Sequence, residues 1–199
     1  MTDQTEGQQM KFCSACGNAV GVKIPAGDHQ PRHVCLTCGH IHYQNPKVIV
    51  GCIPEWEDGR ILMCKRNIEP RLGKWTFPAG FLELGETTAE GAAREAKEES
   101  MTDVEIIDML SVISVSYVSQ VYMIHRARLM VAEFGPTPES SEVRLMREDE
   151  IPWDEIAFPT IWHSLKLFFA DRALGHRRIH ELNLTRRPTQ AGKDEVTSG

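Results

Sequence analysis

Residues 80–99 read Gly80-Phe-Leu-Glu-Leu-Gly-Glu86-Thr-Thr-Ala-Glu-Gly-Ala-Ala-Arg94-Glu95-Ala-Lys-Glu98-Glu99. In a helix, the spacing of Glu95, Glu98 and Glu99 brings three carboxylates onto one face, roughly 5–6 Å apart. Acidic groups that close repel one another and gain little from helix packing. Their proximity makes sense around a hard divalent cation, Mg²⁺ or Mn²⁺. The alternative is a solvated Glu/Lys-rich helix, and the register of Gly80 and Glu86 ahead of the glutamates argues against it.

The helix itself is well specified. Thr87 followed three positions later by Glu90 predicts a capping box. Ala89, Ala92, Ala93 and Ala96 are strong helix formers, too small to hold a partner element away. Gly80 and Gly85 punctuate a loop ahead of the helix, and glycine lets backbone approach an ion or phosphate closely. Arg94 stands four residues before Glu98 and can reach back toward Glu86, bracing the two halves of the segment.

The run resembles the Nudix box, Gly-x5-Glu-x7-Arg-Glu-U-x-Glu-Glu-x-Gly-U, where U is aliphatic. Gly80, Glu86, Arg94, Glu95, Glu98 and Glu99 fall on its fixed positions. Met101 stands where the pattern has Gly, and Thr102 where it has the last aliphatic residue. That Gly would end the helix in a left-handed turn, so Met101 must adopt positive φ or the helix must end another way. The resemblance implies hydrolysis of nucleoside diphosphates linked to another moiety, with Glu95, Glu98 and Glu99 as metal ligands assisted by the Gly80 carbonyl. The chemistry is coherent: bound cations neutralise a diphosphate and lower the pKa of an attacking water. A carboxylate then takes the proton. The downstream candidate is Glu142, expected on a Pro-rich loop, with Glu139 as runner-up.

With 41% hydrophobic residues in 199, the chain can bury a proper core, and nothing reads as a membrane span or a leader peptide. A cytoplasmic enzyme is therefore expected. Net charge is −6, from 22 basic against 28 acidic residues, which disfavours sequence-independent nucleic-acid binding. Small phosphorylated substrates remain compatible, because bound cations supply the positive charge.

Cys13-Ser-Ala-Cys16 and Cys35-Leu-Thr-Cys38 form two Cys-x2-Cys knuckles, followed by Gly17 and Gly39. Four thiolates at this spacing can enclose one structural Zn²⁺ and leave no open position for chemistry. Two disulfides are the competing reading, disfavoured in a reducing compartment. His29, His33, His40 and His42 cluster nearby and read as surface, although one could replace a cysteine. Cys52 and Cys64 lie in apolar runs and read as small buried residues. A ribbon this short needs its metal to fold.

Four segments follow: a disordered N-terminus over 1–10, a zinc ribbon over 11–45, the catalytic domain over 46–185 and a flexible tail over 186–199. Strands are expected at 48–54 and 60–65 around an Asp58-Gly59 turn, at 104–118 and 121–134, and at 143–146. A second helix covers 159–174. The pattern predicts an α/β (α+β) fold with a mixed sheet, which the resemblance makes a Nudix-type α/β/α sandwich preceded by a small zinc ribbon.

Ribbon-bearing Nudix enzymes include the NADH pyrophosphatases, whose Ser-Gln-Pro-Trp-Pro-Phe-Pro signature is lacking here. The pieces Tyr43-Gln-Asn-Pro-Lys47, Cys64-Lys-Arg-Asn67 and Trp75-Thr-Phe-Pro-Ala-Gly80 are similar to the FAD and ADP-ribose pyrophosphatase group instead. That resemblance implies AMP plus FMN, or AMP plus ribose 5-phosphate, as products, and a homodimer. A ring substrate needs stacking surfaces and polar anchors. Trp75, Tyr122 and Tyr117 are candidates to stack; Arg66, Arg71, Gln120 and Glu83 are candidates to anchor. NAD or NADH hydrolysis is one alternative. A non-catalytic nucleotide sensor is another, disfavoured because all the box glutamates are present. A third is a ribbon that docks RNA, disfavoured because Lys11, Lys23 and Arg32 make a weak basic balance.

Overall fold

The computed structural model describes residues 10–186 and 197–198. The disordered ends expected at 1–10 and 186–199 lie largely outside them. The chain divides into two compact units, Met1–Pro46 and Lys47–Gly199. In the first, β1 (Val20–Lys23), β2 (Arg32–Cys35) and β3 (Ile41–His42) form an antiparallel sheet.

The second unit runs β4 (Lys47–Glu55), β5 (Ile61–Arg66), β6 (Trp75–Thr76), β7 (Ala79–Phe81), α1 (Thr88–Ser100), β8 (Val104–Val115), β9 (Gln120–Leu129), β10 (Ser140–Met146), α2 (Pro159–Leu174), β11 (His180–Leu184) and β12 (Thr197–Ser198). The sheet order is β10-β5-β4-β9-β8-β11-β12, with β6 beside β5 and β7 beside β4. The β4–β9 and β8–β11 pairs are parallel and the others antiparallel, so the sheet is mixed.

Period-two alternation decides which helix covers which face. Val50 and Cys52 of β4 pack with Ala127 against Ala92 and Ala96 of α1. Ile53 points the other way, joining Ile124 and Leu110 against Ile161, Leu165 and Phe168 of α2. The result is helix, sheet, helix. The alanine face of α1 lets it lie close, whereas α2 uses large side chains; Leu165 is fully buried, and Leu165→Ala would cost about 2–5 kcal/mol. Cys52 and Cys64 are fully buried small residues.

Three local features bear on chemistry. Residues 79–81, expected as loop, are strand β7, antiparallel to β4. Gly51 permits that approach: a Cβ there would meet the Ala79 Cβ at 2.5 Å and the Pro78 carbonyl oxygen at 2.6 Å. Glu142, expected on a loop, lies within β10. Its strand is bulged at Ser141, because Ser140 pairs with Arg66 while Glu142 pairs with Lys65. Finally, α1 keeps its left-handed exit without glycine. Met101 sits at φ 63, and its N–H bonds the Lys97 carbonyl at 2.9 Å. Thr102 fills a buried position where the box has an aliphatic, and its hydroxyl has no partner there.

Candidate active site and metal centres

Helix α1 starts as its sequence dictates. The Thr87 hydroxyl accepts the Glu90 N–H at 3.2 Å and the Glu90 carboxylate accepts the Thr87 N–H at 2.8 Å. This cap sets the phase of the glutamates that follow. One residue then organises them. Arg94 Nε donates to Glu86 at 2.6 Å, while its Nη atoms reach Glu95 at 2.8 Å, Glu98 at 2.9 Å and the Phe81 carbonyl at 3.0 Å. Glu86 is thereby a brace: Arg94 holds its carboxyl below the usual carboxylate range, and it does not line the cleft.

Gly80 leaves room for the Glu95 carboxyl group beside it. A Cβ at that position would collide with the Glu95 carboxyl group. Burial pushes Glu95 upward against the pull of Arg94. Glu99 is 5% exposed; burial pushes it up to about 8, although the Ala79 N–H donates to it at 3.1 Å. Glu98 remains open to solvent. Two buried carboxylates and one exposed one, close to a backbone glycine, form an oxygen-rich site suited to Mg²⁺ or Mn²⁺, and a cation there would relieve the burial of like charges.

The glutamates open into a cleft of about 900 Å³. Of the residues expected there, Glu95, Glu98, Glu99, Arg94, Gly80, Arg66, Glu83, Gln120 and Tyr122 all line it, as do Arg71 and Tyr117. Tyr122 donates to Gln120 at 3.2 Å. Besides Glu86, two candidates lie elsewhere. Trp75 is in the core beside Ile156 and Ala157 of the following segment, because its strand pairs with β5 and turns the ring inward. Glu142 pairs with Lys65 at 3.9 Å and with Arg144, away from the cleft. Glu139, ahead of β10, does line the cleft, and its charge adds to the upward push on Glu95 and Glu99.

Phe158 is a cleft residue that sequence reasoning missed. It precedes Pro159 at the start of α2, and Arg66 lies over its ring at 5.3 Å. The Phe-Pro helix start was legible, but its approach to β5 depends on tertiary pairing.

In the ribbon, the four cysteine sulfurs all lie within 4.8 Å of one another, with no histidine in the group. The separations include 3.8 Å for Cys13–Cys38, 3.5 Å for Cys16–Cys35 and 3.4 Å for Cys16–Cys38. A disulfide needs about 2.05 Å, whereas tetrahedral zinc with Zn–S of about 2.3 Å has edges of about 3.8 Å. Gly17 and Gly39 take left-handed φ of 72 and 74, which turns each knuckle back so that the Ala15 and Thr37 amides donate to Cys13 and Cys35 sulfurs at 3.4 Å. The Asn18 side-chain amide draws Cys16 down to about 6. The His40 amide pulls Cys38 down, but its bonds with Cys16 and Cys35 outweigh that and push it to about 12. Four adjacent thiols cannot all ionise without a cation among them; zinc fits.

Residues 11–44 match the model of the Nudix N-terminal zinc ribbon, and residues 45–180 match that of the NUDIX domain. The chain belongs to the NUDIX family. A NUDIX hydrolase from Nitrosomonas europaea is 52% identical, with TM-score 0.85, over 89% of this chain and all of that one. An NAD-capped RNA hydrolase NudC from Vibrio atlanticus is 32% identical over 50% of this NUDIX chain and 35% of that protein. An ADP-ribose pyrophosphatase from Methanocaldococcus jannaschii is 40% identical over 36% of this chain and 42% of that protein. The chain spans between 35% and 54% of the length of four NudC relatives. No helix among the described residues is long and apolar enough to cross a membrane.

Proposed function

We propose that this chain is a metal-dependent pyrophosphatase that hydrolyses the diphosphate of an ADP-containing dinucleotide or nucleotide sugar. The observation that carries this reading is the convergence of Glu95, Glu98, Glu99, Gly80 and Glu139 on one cleft that Tyr117, Tyr122 and Phe158 also line. A divalent cation on the α1 glutamates would neutralise the diphosphate and acidify a water. Arg94 orients Glu95 and Glu98, and Glu86 holds Arg94 in place. Glu139, which lines the cleft as Glu142 does not, would accept the proton as water adds to phosphorus and the bridging P–O bond breaks. Two phosphate monoesters result. Arg66 and the first turn of α2 line the same cleft and would hold the phosphates, since helix N-terminal amides and dipole favour anions. Phe158, Tyr122 and Tyr117 offer ring surfaces.

FAD and ADP-ribose lead among substrates, with NAD(H) as the second reading because several relatives are named NAD-capped RNA hydrolases. All three share the ADP half, so AMP is the expected common product. Incubation of FAD, ADP-ribose, NADH, CoA and dNTPs with Mg²⁺ or Mn²⁺, followed by chromatography, ranks them. Nucleotide binding without turnover of any would favour a sensor and overturn the proposal. The proposal includes a homodimer, which sedimentation tests.

A further inference from the structure

We infer that Asn67 is a positioning residue for Glu139, tying the substrate-lining turn after β5 to the proton acceptor. The inference rests on the reading of Glu139 given above. Glu139 is exposed and lines the cleft with Glu95 and Glu99, whose charges repel it, so its approach to them depends on where its backbone is held. Here its backbone is held from two sides. The Asn67 N–H donates to the Glu139 carbonyl at 2.7 Å, and the Asn67 side-chain amide donates to the Pro138 carbonyl at 3.1 Å. From the other side, the Thr137 hydroxyl accepts the Glu139 N–H at 3.2 Å and donates to the Glu99 carbonyl at the end of α1 at 3.4 Å.

Asn67 follows Arg66 directly. Arg66 stacks on Phe158 and donates to the Pro70 carbonyl at 2.9 Å, and the Gly73 N–H closes the same turn onto the Arg66 carbonyl at 2.8 Å. One residue thus joins the turn that borders the substrate cleft to the loop that carries the base. The side-chain bond is the part that a substitution can remove, since the backbone bond survives any replacement with an N–H. Misplacing a reacting group by 1 Å can cost about 100-fold, so a bond that touches neither metal nor substrate still matters to the rate.

The test is a double-mutant cycle of Asn67→Ala and Glu139→Gln in the full chain with Mg²⁺ and its best substrate, with melting temperature as the fold control. Asn67→Ala is expected to lower kcat about 10- to 100-fold with KM little changed, and to move the acid limb of the kcat–pH profile. In the Glu139→Gln background the same change should have almost no further effect. Should Asn67→Ala fail to fold, Asn67→Ser, which keeps a short polar side chain, enters the same cycle. A kcat equal to that of the unmodified chain, or a full multiplicative loss in the double variant, overturns the role of Asn67 alone. Unchanged kcat in Glu139→Gln removes Glu139 from the reaction, and the inference falls with it.

Discussion

In the ribbon, four sulfurs stand within 4.8 Å of one another. On α1, two of the three glutamates are held by one guanidinium, and Glu99 keeps its proton up to about 8. The first site is assembled around a closed shell, with two glycine turns and backbone N–H groups aimed at sulfur. The second is open, with like charges held in check by Arg94 and by burial. A closed shell serves folding. An open one, kept in tension until a cation arrives, leaves room for water and phosphate.

The largest effect should come from removing zinc. Chelation, or Cys35→Ser, withdraws metal-binding energy on the order of 10 kcal/mol or more. Hydrogen exchange should then expose residues 11–44 while the amides of β4, β8 and β9 stay protected. A ribbon that kept its protection without zinc would remove the closed half of the contrast.

Next in size, Glu98→Gln and Glu99→Gln should each lower kcat roughly 100- to 1,000-fold, as loss of several kcal/mol of transition-state charge stabilisation implies. Melting temperature should not fall. Full turnover in both variants, read by AMP release, would falsify the open-site assignment.

Arg94→Ala should cost about 2–3 kcal/mol in the metal-free protein, since it removes charge-assisted hydrogen bonds to three glutamates. Saturating Mg²⁺ should restore part of that loss, measured as a shift in urea midpoint. No recovery would mean that the cation and Arg94 do not share the same carboxylates.

The smallest effect is one of pH. The folded-state value of Glu99, about 8, lies above its ordinary 4.5. Between those limits the metal-free fold binds an extra proton, so its stability falls as pH rises. Cation binding has the opposite sign, because the ion displaces that proton: Mg²⁺ affinity should rise up to about tenfold per pH unit below pH 8. Calorimetry in two buffers of different ionisation heat would count the proton released. A count of zero would contradict the burial of Glu99.

Much of this was legible because it is local. The Thr87–Glu90 box, the α1 register and the paired cysteine knuckles each depend on residues a few positions apart. So does the α2 span over 159–174, marked by its apolar period and Gly175. What escaped depends on distant pairing. Trp75 is an aromatic in a short run whatever its fate, and only the pairing of β6 with β5 sends its ring into the core. Glu139 and Glu142 are equivalent as letters, three apart in one polar segment. Glu142 lies inside β10 opposite Lys65, whereas Glu139 lies in the turn ahead of that strand, and where the strand begins is set by its pairing with distant β5.

The bulge at Ser141 bears on how such an enzyme could change over generations. Ser140 and Glu142 already pair with the adjacent residues Arg66 and Lys65, so Ser141 could be lost without a change of register on either side. Its loss would straighten β10 and leave every paired side chain on its present face. The sheet edge beside the cleft could therefore vary in length while the α1 glutamates stay untouched.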